Sequence, residues 1–300
     1  MRILITGGAG FIGKHLTRFL LKKEHSITIF DNFSNSTKES INSLIDMGVK
    51  VIEGDIIIPN EISNAAKEQD MVIHLAAKIS VSESIINPSK IFQVNVNGTR
   101  NVLAACERNN IKKIIAASSA AVYGEGSPDV KLTEKSETNP ISPYGESKLK
   151  MEQEIIKFAL KYDINYVILR FFNIYGAGQS KEYAGVISKF IERVRQDKPL
   201  EIFGNGLQTR DFVAIKDVIN SIHNAISHDK SGTYNIASGK VVTIKELAEL
   251  VLSISGKELE IKYTTPKNED IIHSQSNIDL AKINLKYHPK FELREGIKEL

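Results

Sequence analysis

The sequence predicts an α/β protein with a doubly wound parallel sheet and a smaller C-terminal α/β lobe. Short β-branched runs alternate with longer segments of helical periodicity, which is the pattern of strands joined by crossover helices. Two runs, MVIHLAA and KKIIAASS, are nearly continuous in apolar residues. A strand of that kind indicates a sheet covered on both faces. After Phe172 the alternation ends and a stretch richer in Gly and polar residues begins.

The predicted elements follow this alternation along the chain. The strands are predicted at residues 2–6, 26–30, 50–53, 71–75, 113–117 and 166–171, and the helices between them at residues 11–23, 89–109 and 143–162. Later come a strand at 232–238 and a helix at 243–256 that ends on glycine. We therefore expect residues 1–175 to form the main domain and residues 176–300 most of the lobe, with 212–238 returning in part to the sheet.

The composition is that of an ordinary folded protein, with 42% hydrophobic and 25% charged residues. A net charge of +3, spread along the chain, predicts neither nucleic-acid nor membrane binding. The single cysteine, Cys106, excludes an internal disulfide and a cysteine zinc site, and it suits a reducing cytoplasm. We also expect no bound metal, no membrane span and no signal peptide, because the sequence has no motif for any of them.

A glycine-rich turn, TGGAGFIG, directly follows the first predicted strand. Gly7, Gly10 and Gly13 are spaced G-x-x-G-x-x-G, one residue longer than the G-x-G-x-x-G dinucleotide fingerprint. Glycines at these places permit a tight turn, and the N-terminus of the next helix offers free N–H groups to a pyrophosphate. The turn therefore predicts a Rossmann-type dinucleotide site.

Two acidic residues follow the second and third predicted strands. Asp31 comes eighteen residues after Gly13, close to the spacing of an acid that binds the adenosine ribose hydroxyls. A carboxylate there repels a 2′-phosphate, so NAD is favoured over NADP; the alternative is a surface acid at a strand end. Asp55 is either a ligand of the adenine amino group or an ordinary turn residue.

Tyr144 and Lys148 lie four residues apart at the start of a predicted helix, which places both side chains on one face. A free phenol has a pKa of about 10, and a nearby ammonium together with a positive nicotinamide favours the phenolate. Ser118 and Ser119 end a preceding strand, where open α/β sheets bind ligands. The spacing alone is common by chance, so the placement of the serines carries the prediction of a catalytic site.

Five motifs in order, TGGAGFIG, HLAA, SSAAVYG, YGESK and LRFFNIYG, resemble the extended short-chain dehydrogenase/reductases that act on nucleotide sugars. Within that family the sequence is most similar to the UDP-glucose (UDP-galactose) 4-epimerases. The segment IFGNGLQTRDFVAIKDV resembles the sugar-nucleotide segment of the family, so the likeness covers nearly the whole chain.

The resemblance implies the site residues. Ser119, Tyr144 and Lys148 would be catalytic. NAD would be bound by Gly7, Gly10, Phe11, Ile12, Gly13, Asp31, Asn32, Asp55, Ile56, Leu75, Ala76, Ala77, Asn95, Ser118, Tyr144, Lys148 and Phe171. The UDP-sugar would be bound by Ser80, Ser119, Tyr144, Asn173, Gln208, Arg210, Asp270 and Ser274. His74 is expected to be a packed, hydrogen-bonded imidazole, and the helices at 89–109 and 143–162 imply a homodimer.

The reaction implied is inversion at C4 of a UDP-hexose. Tyr144 would take the proton of the sugar 4-hydroxyl while the C4 hydride passes to NAD, and the keto sugar would turn before hydride and proton return. Ala120 and Ala121 stand where dehydrating and decarboxylating relatives carry an acid pair, which favours epimerisation. Ser274 replaces a bulky residue, so N-acetylhexosamines are expected to be accepted.

Other readings stay open. Lys267 and Glu269 replace an Arg and a Gly of the family pattern, which implies a weaker or rearranged diphosphate contact. Alternatives within the family are a UDP-glucuronate 4-epimerase or decarboxylase, a 4,6-dehydratase and a 4-keto-sugar reductase. A more distant alternative is a non-catalytic dinucleotide-binding sensor.

Overall fold

The computed structural model describes residues 1–179, 185–266 and 271–300. The strands in these ranges are β1 (Arg2–Thr6), β2 (Ser26–Asp31), β3 (Lys50–Glu53), β4 (Met71–His74), β5 (Lys113–Ser119), β6 (Asn165–Phe171), β7 (Asn173–Tyr175), β8 (Leu200–Phe203), β9 (Thr209–Ala214), β10 (Gly232–Ile236), β11 (Val241–Thr243) and β12 (Ile261–Thr264). The α-helices are α1 (Phe11–Leu21), α2 (Asn42–Ile45), α3 (Pro59–Ala65), α4 (Val81–Ile86), α5 (Pro88–Phe92), α6 (Thr99–Arg108), α7 (Pro143–Tyr162), α8 (Val186–Arg195), α9 (Ile215–Ile226), α10 (Ile244–Ser255), α11 (Asp279–Leu285) and α12 (Leu293–Lys298). None of the described helices is both long and apolar enough to cross a membrane.

Seven parallel strands form the central sheet, in the order β10-β6-β5-β4-β1-β2-β3. The order reverses between β1 and β4, and this is where open α/β sheets leave a crevice at the carboxyl ends of their strands. The predicted Rossmann-type doubly wound fold is therefore confirmed.

Both faces of the central sheet are covered by helices. Along β1, Ile3 and Ile5 pack into the core under α1 and α9, whereas Leu4 packs into the opposite core under α3, α6 and α7. Successive side chains of a strand point to opposite faces, so a strand between two helical layers has to be apolar throughout. This explains the continuous apolar runs in the sequence.

The remainder of the chain builds a smaller lobe around a core of its own. It contains a three-stranded sheet, β11-β9-β7, and a parallel pair, β12-β8. Helix α10 begins after Thr243, which forms a capping box with Glu246, and it ends at Gly256 in the left-handed conformation. Within residues 212–238, β10 joins the central sheet beside β6, while α9 packs on that sheet and β9 belongs to the lobe.

The helix predicted at residues 89–109 is present, but it is not α-helical throughout. The structure has α5, then a π-helical turn at Gln93–Gly98, then α6. The hydroxyl of Thr99, the first residue of α6, donates to the carbonyl oxygen of Asn95 in the turn at 2.6 Å, and the Asn95 side chain bonds to the backbone of Lys78. These long-range contacts hold the wider turn, which local periodicity does not reveal.

Candidate active site

A cavity of about 620 Å³, here called the main cavity, opens at the carboxyl ends of the central strands. Its size is in the range of small-molecule and cofactor sites. The residues predicted for cofactor binding or catalysis that line it are Gly7, Gly10, Phe11, Ile12, Gly13, Asp31, Asn32, Asp55, Ile56, Leu75, Ala76, Ala77, Ser118, Ser119, Tyr144, Lys148 and Phe171. The structure thus brings together residues that are up to 164 positions apart in the chain, from Gly7 to Phe171.

The glycine turn forms one wall of the main cavity by close backbone packing. Gly7 has a φ of +69°, and a Cβ on it would lie 2.7 Å from the Ala76 nitrogen. A Cβ on Gly13 would lie 2.5 Å from the Gly8 oxygen. Gly10 is the N-cap of α1, so the first N–H groups of that helix have no partner of their own within it. The turn therefore presents backbone donors that no larger residue would leave accessible.

Asp31 ends β2 and is held rigidly at the edge of the main cavity. Its carboxylate accepts hydrogen bonds from Ala9 N at 2.9 Å and Phe33 N at 2.8 Å. Burial raises the pKa of Asp31, and these two backbone bonds oppose the rise. Nearby, Asn32 Nδ2 donates to Asp55 Oδ2 at 2.8 Å, so both predicted acids belong to one polar rim.

Tyr144, Ser119 and Lys148 meet on the wall formed by β5 and α7. Ser142 caps α7 and Pro143 occupies its first turn, which sets Tyr144 and Lys148 one helical turn apart. Lys148 Nζ donates to the Ala117 carbonyl at 2.9 Å. Burial lowers the pKa of Lys148 to about 8, although the nearby Glu152 carboxylate opposes the change.

The phenol of Tyr144 has a pKa above its ordinary value, because burial disfavours the phenolate. A hydrogen bond with the Ser119 side chain opposes that rise. The direction is opposite to the one expected from the sequence, since the chain's own groups leave the phenol protonated. A lower pKa therefore requires a further positive charge in the main cavity.

Asn95 does not line the main cavity, although it was predicted to surround the dinucleotide. Its Oδ1 accepts from Lys78 N at 2.8 Å, and its Nδ2 donates to Lys78 O at 2.9 Å and to the Ser147 hydroxyl at 2.9 Å. The side chain is fully used in fixing the segment that follows β4 against α7. Lys78 lines the main cavity, and Asn95 lies behind it and holds it in place.

His74 is a packed, neutral imidazole at the end of β4. The Thr99 hydroxyl donates its proton to the Asn95 carbonyl, so Thr99 Oγ1 is an acceptor for His74. Nε2 of His74 therefore donates to Thr99 Oγ1 at 2.9 Å, and Nδ1 accepts from the Thr6 hydroxyl at 2.7 Å. Burial lowers the pKa of His74 to about 3. The ring is therefore uncharged at neutral pH, as expected of a structural histidine.

The residues predicted to bind the sugar nucleotide are more dispersed. Ser119 and Tyr144 line the main cavity, whereas Ser80, Asn173, Gln208, Arg210 and Ser274 do not. Asp270, like Lys267 and Glu269, lies outside the described residues.

Each of the dispersed residues has a local contact or is buried. Ser80 caps α4, Asn173 donates to the Asp211 carbonyl, Gln208 donates to the Phe203 carbonyl, and Arg210 donates to the Thr209 carbonyl. Ser274 is buried.

The neighbour of Arg210 on β9 is fully engaged elsewhere. Asp211 accepts from Ser238 N at 2.8 Å, from the Ser238 hydroxyl at 2.6 Å and from Gly239 N at 2.9 Å. Burial raises the pKa of Asp211 to about 6. Its carboxylate therefore fixes the turn before β11, which pairs with β9.

These observations agree with the comparisons to known proteins. The model of the NAD dependent epimerase/dehydratase family matches residues 3–237. The chain belongs to this family. The resemblance drawn from the motifs is thereby confirmed, and so is NAD as the cofactor, since the family is NAD-dependent and solved neighbours include complexes with NAD.

Three relatives show how close the likeness is. A Methanocaldococcus jannaschii protein with the provisional name UDP-glucose 4-epimerase is 37% identical over 300 residues, covering 99% of this chain and 96% of that one. The UDP-glucose 4-epimerase of Thermotoga maritima, solved with UDP-glucose, has a TM-score of 0.95 at 32% identity and covers 100% of this chain and 97% of that one. The UDP-N-acetylglucosamine 4-epimerase of Methanobrevibacter ruminantium has a TM-score of 0.94 at 33% identity, covering 99% and 96%.

The main cavity fits the family's cofactor. The crowded glycines leave room only for backbone, as close approach to a pyrophosphate requires. Asp31 lines the cavity at the end of β2, from where a carboxylate would be able to bind an adenosine ribose. Sequence reasoning missed a polar loop after β2 that also lines this end of the cavity: Ser34, Asn35, Ser36, Thr37 and Ser40. In the sequence this loop is visible as a run of short polar residues directly after the second predicted strand.

Proposed function

We propose that this member of the family interconverts the C4 epimers of a UDP-hexose, with UDP-glucose and UDP-galactose as the first candidates. One observation carries the proposal: Ser119, Tyr144 and Lys148 line the same cavity as the dinucleotide turn. The adjoining 3₁₀ turn begins with Ala120 and Ala121, which supply neither an acid nor a base. The turn therefore offers no acid or base for a step beyond C4 and its hydroxyl, which favours epimerisation over dehydration or decarboxylation.

In this proposal, Tyr144 moves the proton of the sugar 4-hydroxyl. Bound NAD supplies the hydride acceptor and donor. The Lys148 ammonium, one helical turn from Tyr144, would lower the phenol pKa against the effect of burial, together with the positive charge of the bound cofactor. The Ser119 side chain is hydrogen-bonded to the Tyr144 phenol and favours the phenolate. Tyr144 would act as the base in the first half-reaction and as the acid in the second.

The nucleotide has to be held firmly while the sugar turns. We assign this grip to the lobe, where Arg210 on β9 and Asn173 on β7 lie on neighbouring strands of the three-stranded sheet and Asn173 pairs with Phe212 in the register. A guanidinium matches a diphosphate with two parallel hydrogen bonds, which suits a residue that anchors one end of a mobile substrate.

The test is an assay of the purified protein against UDP-glucose, UDP-galactose, their N-acetylated counterparts and UDP-glucuronate, with NAD bound and no reductant added. We expect inversion at C4 without net change in NADH absorbance. Turnover of the N-acetylated pair is expected as well, because the resemblance places the small Ser274 where stricter relatives carry a bulky residue; in the structure Ser274 is buried. Turnover of UDP-glucose and UDP-galactose alone would refute this extension.

The same assay separates the alternatives. Release of carbon dioxide from UDP-glucuronate identifies a decarboxylase. In a parallel reaction with a UDP-4-keto-hexose and added NADPH, stoichiometric consumption of NADPH identifies a 4-keto-sugar reductase. Binding of NAD without conversion of any of these sugars points to a dinucleotide sensor. Any of these three outcomes overturns the proposal.

A further inference from the structure

A buried ion pair lies directly behind Lys148. Glu152 follows Lys148 by one turn of α7, so the two side chains share a helix face. The partner of Glu152 is Arg170 on β6, with Arg170 Nη2 at 2.7 Å from Glu152 Oε2. All three side chains are buried, at 3% exposure for Lys148, 2% for Glu152 and 6% for Arg170. Neither Glu152 nor Arg170 lines the main cavity, and the proposed chemistry uses neither.

The carboxylate of Glu152 joins the ends of two neighbouring strands. It accepts from the Ser118 hydroxyl at 2.5 Å and from Arg170 Nε at 3.0 Å, both on Oε1. Ser118 and Arg170 are cross-strand partners in the β5–β6 register. The next pair in that register is Ser119 and Phe171, and both of these line the main cavity. One carboxylate thus fixes the strand ends that carry a catalytic residue and a cavity wall.

The charges around Lys148 give this carboxylate a second effect. Among the described residues, Glu152 on α7 and His74 on β4 interact electrostatically with Lys148. Tyr144 precedes Lys148 by one turn of α7, and Arg170 on β6 pairs with Glu152. His74 is uncharged at neutral pH because its pKa is about 3, and Tyr144 is protonated. Glu152 is therefore the anion among these groups, and it raises the pKa of Lys148 against burial.

Stability alone does not account for this arrangement. A buried ion pair costs desolvation energy, and replacing such a pair by apolar residues of similar volume is often neutral or stabilising. The placement of this pair one helical turn from Lys148 points instead to an electrostatic effect on that lysine.

We propose that Glu152 is a positioning residue that keeps Lys148 in its ammonium form and, through Ser118 and Arg170, fixes the strand ends beside Ser119 and Phe171. The proposal deepens the proposed function, because it takes the ammonium of Lys148 to be the form that assists Tyr144. It also makes a statement about the protonation of Lys148 that is independent of turnover.

Three variants test the charge effect. In E152Q the anion is lost and the cation of Arg170 remains, so the pKa of Lys148 falls below its value of about 8. In the double variant E152M/R170M both charges are lost, so the pKa of Lys148 falls less than in E152Q. Opposite charges at this range shift a pKa by about one unit or more. The matched control is E154Q, which removes a carboxylate of the same helix from a more exposed pair with Arg100 at 2.8 Å.

The direct measurement is an NMR titration of lysine 13Cε signals in the NAD-free protein, with Lys148 assigned by the signal lost in K148M. We expect the midpoints in the order wild type and E154Q, then E152M/R170M, then E152Q. An unchanged midpoint in E152Q overturns the proposal. If E152Q does not fold, the double variant decides, since it removes the carboxylate without leaving an unpaired buried cation.

The activity profile is the second measurement. Turnover needs the ammonium, so the alkaline limb of kcat against pH moves to lower pH in E152Q by about one pH unit. A purely structural ion pair would lower stability and kcat without moving that limb, and this result contradicts the proposal. If the wild type converts none of the sugars, the proposed function fails, while the NMR titration still tests the effect of Glu152 on Lys148.

Discussion

The two halves of the site are built differently. On the cofactor side, the glycine turn, Asp31 and the residues after β4 line one cavity, and each follows directly from the end of a parallel strand. On the substrate side, Asn173, Gln208 and Arg210 lie on or beside the strands of the lobe, and none of them lines that cavity. The cofactor side is made mainly of backbone at strand ends, whereas the substrate side is made of side chains from separate elements.

This difference determines how each half depends on the rest of the fold. The backbone turn packs so closely that a Cβ added to Gly7 would lie 2.7 Å from the Ala76 nitrogen, and the turn is therefore fixed by the sheet itself. The substrate side depends on contacts between distant segments, such as those of Asp211 with Ser238 and Gly239. Substitutions on the cofactor side should therefore abolish NAD binding or chemistry, whereas those on the substrate side should change mainly the KM for the sugar nucleotide.

The largest effect is expected for Tyr144→Phe, at the junction of the two halves. Removing the phenol hydroxyl removes the proposed acid and base, so kcat should fall by at least about 10²-fold. NAD affinity should stay unchanged, because Phe preserves the wall of the cavity. The control is Tyr263→Phe, a half-exposed tyrosine on β12. Turnover close to that of the wild type would remove Tyr144 from the mechanism.

The second prediction concerns the glycine turn. In Gly13→Ala the new Cβ would lie 2.5 Å from Gly8 O and 2.6 Å from Gly7 O, so the turn has to move. NAD affinity, measured by calorimetry, should fall by about tenfold or more, which corresponds to at least about 1.4 kcal/mol. Gly185→Ala is the matched control in the lobe, since its φ is −65° and nothing lies within 4 Å. Equal NAD affinity in both variants contradicts a backbone-built cofactor side.

The cofactor side is also the half that sequence predicts well. Gly7, Gly10, Gly13 and Asp31 are marked by short-range spacing after strands that are recognisable as apolar runs, and the strand bounds agree to within a few residues. This spacing is visible in the sequence because the backbone conformation at a strand end depends on residues that are close together in the chain. The polar loop after β2 was visible in the sequence but carries no spacing that assigns it a ligand.

The remainder depends on contacts that no local pattern contains. The π-helical turn at Gln93–Gly98 is held by the Lys78 backbone, and the Glu152–Arg170 pair joins a helix to a strand. In the sequence, Glu152 is one of several charged residues on an amphipathic helix, so an exposed position is as reasonable as a buried one. Asn95 was assigned to the cavity by resemblance, and only the structure shows it behind the wall.

The third prediction addresses the substrate side. Arg210→Lys keeps the positive charge but loses the fork that matches a diphosphate. The KM for the UDP-sugar should rise by about tenfold, which is the loss of roughly one charge-assisted hydrogen bond, while NAD affinity is unchanged. Arg294→Lys, at an arginine of α12 that contacts Ser253, serves as the control. A fall in NAD affinity would mean that Arg210 belongs to the cofactor side.

The smallest effect is expected for Glu125→Gln, which tests whether the substrate side depends on long-range contacts. The Glu125 carboxylate accepts from Ile272 N at 2.8 Å and from His273 N at 2.7 Å, and so ties the segment before Ser274 to the loop after β5. Gln keeps one acceptor and turns an NH₂ toward two donors, so the KM should rise about threefold with kcat and NAD affinity unchanged. Glu258→Gln, at an exposed glutamate of the lobe, is the control. A loss of NAD affinity in Glu125→Gln would show that the two halves are mechanically coupled.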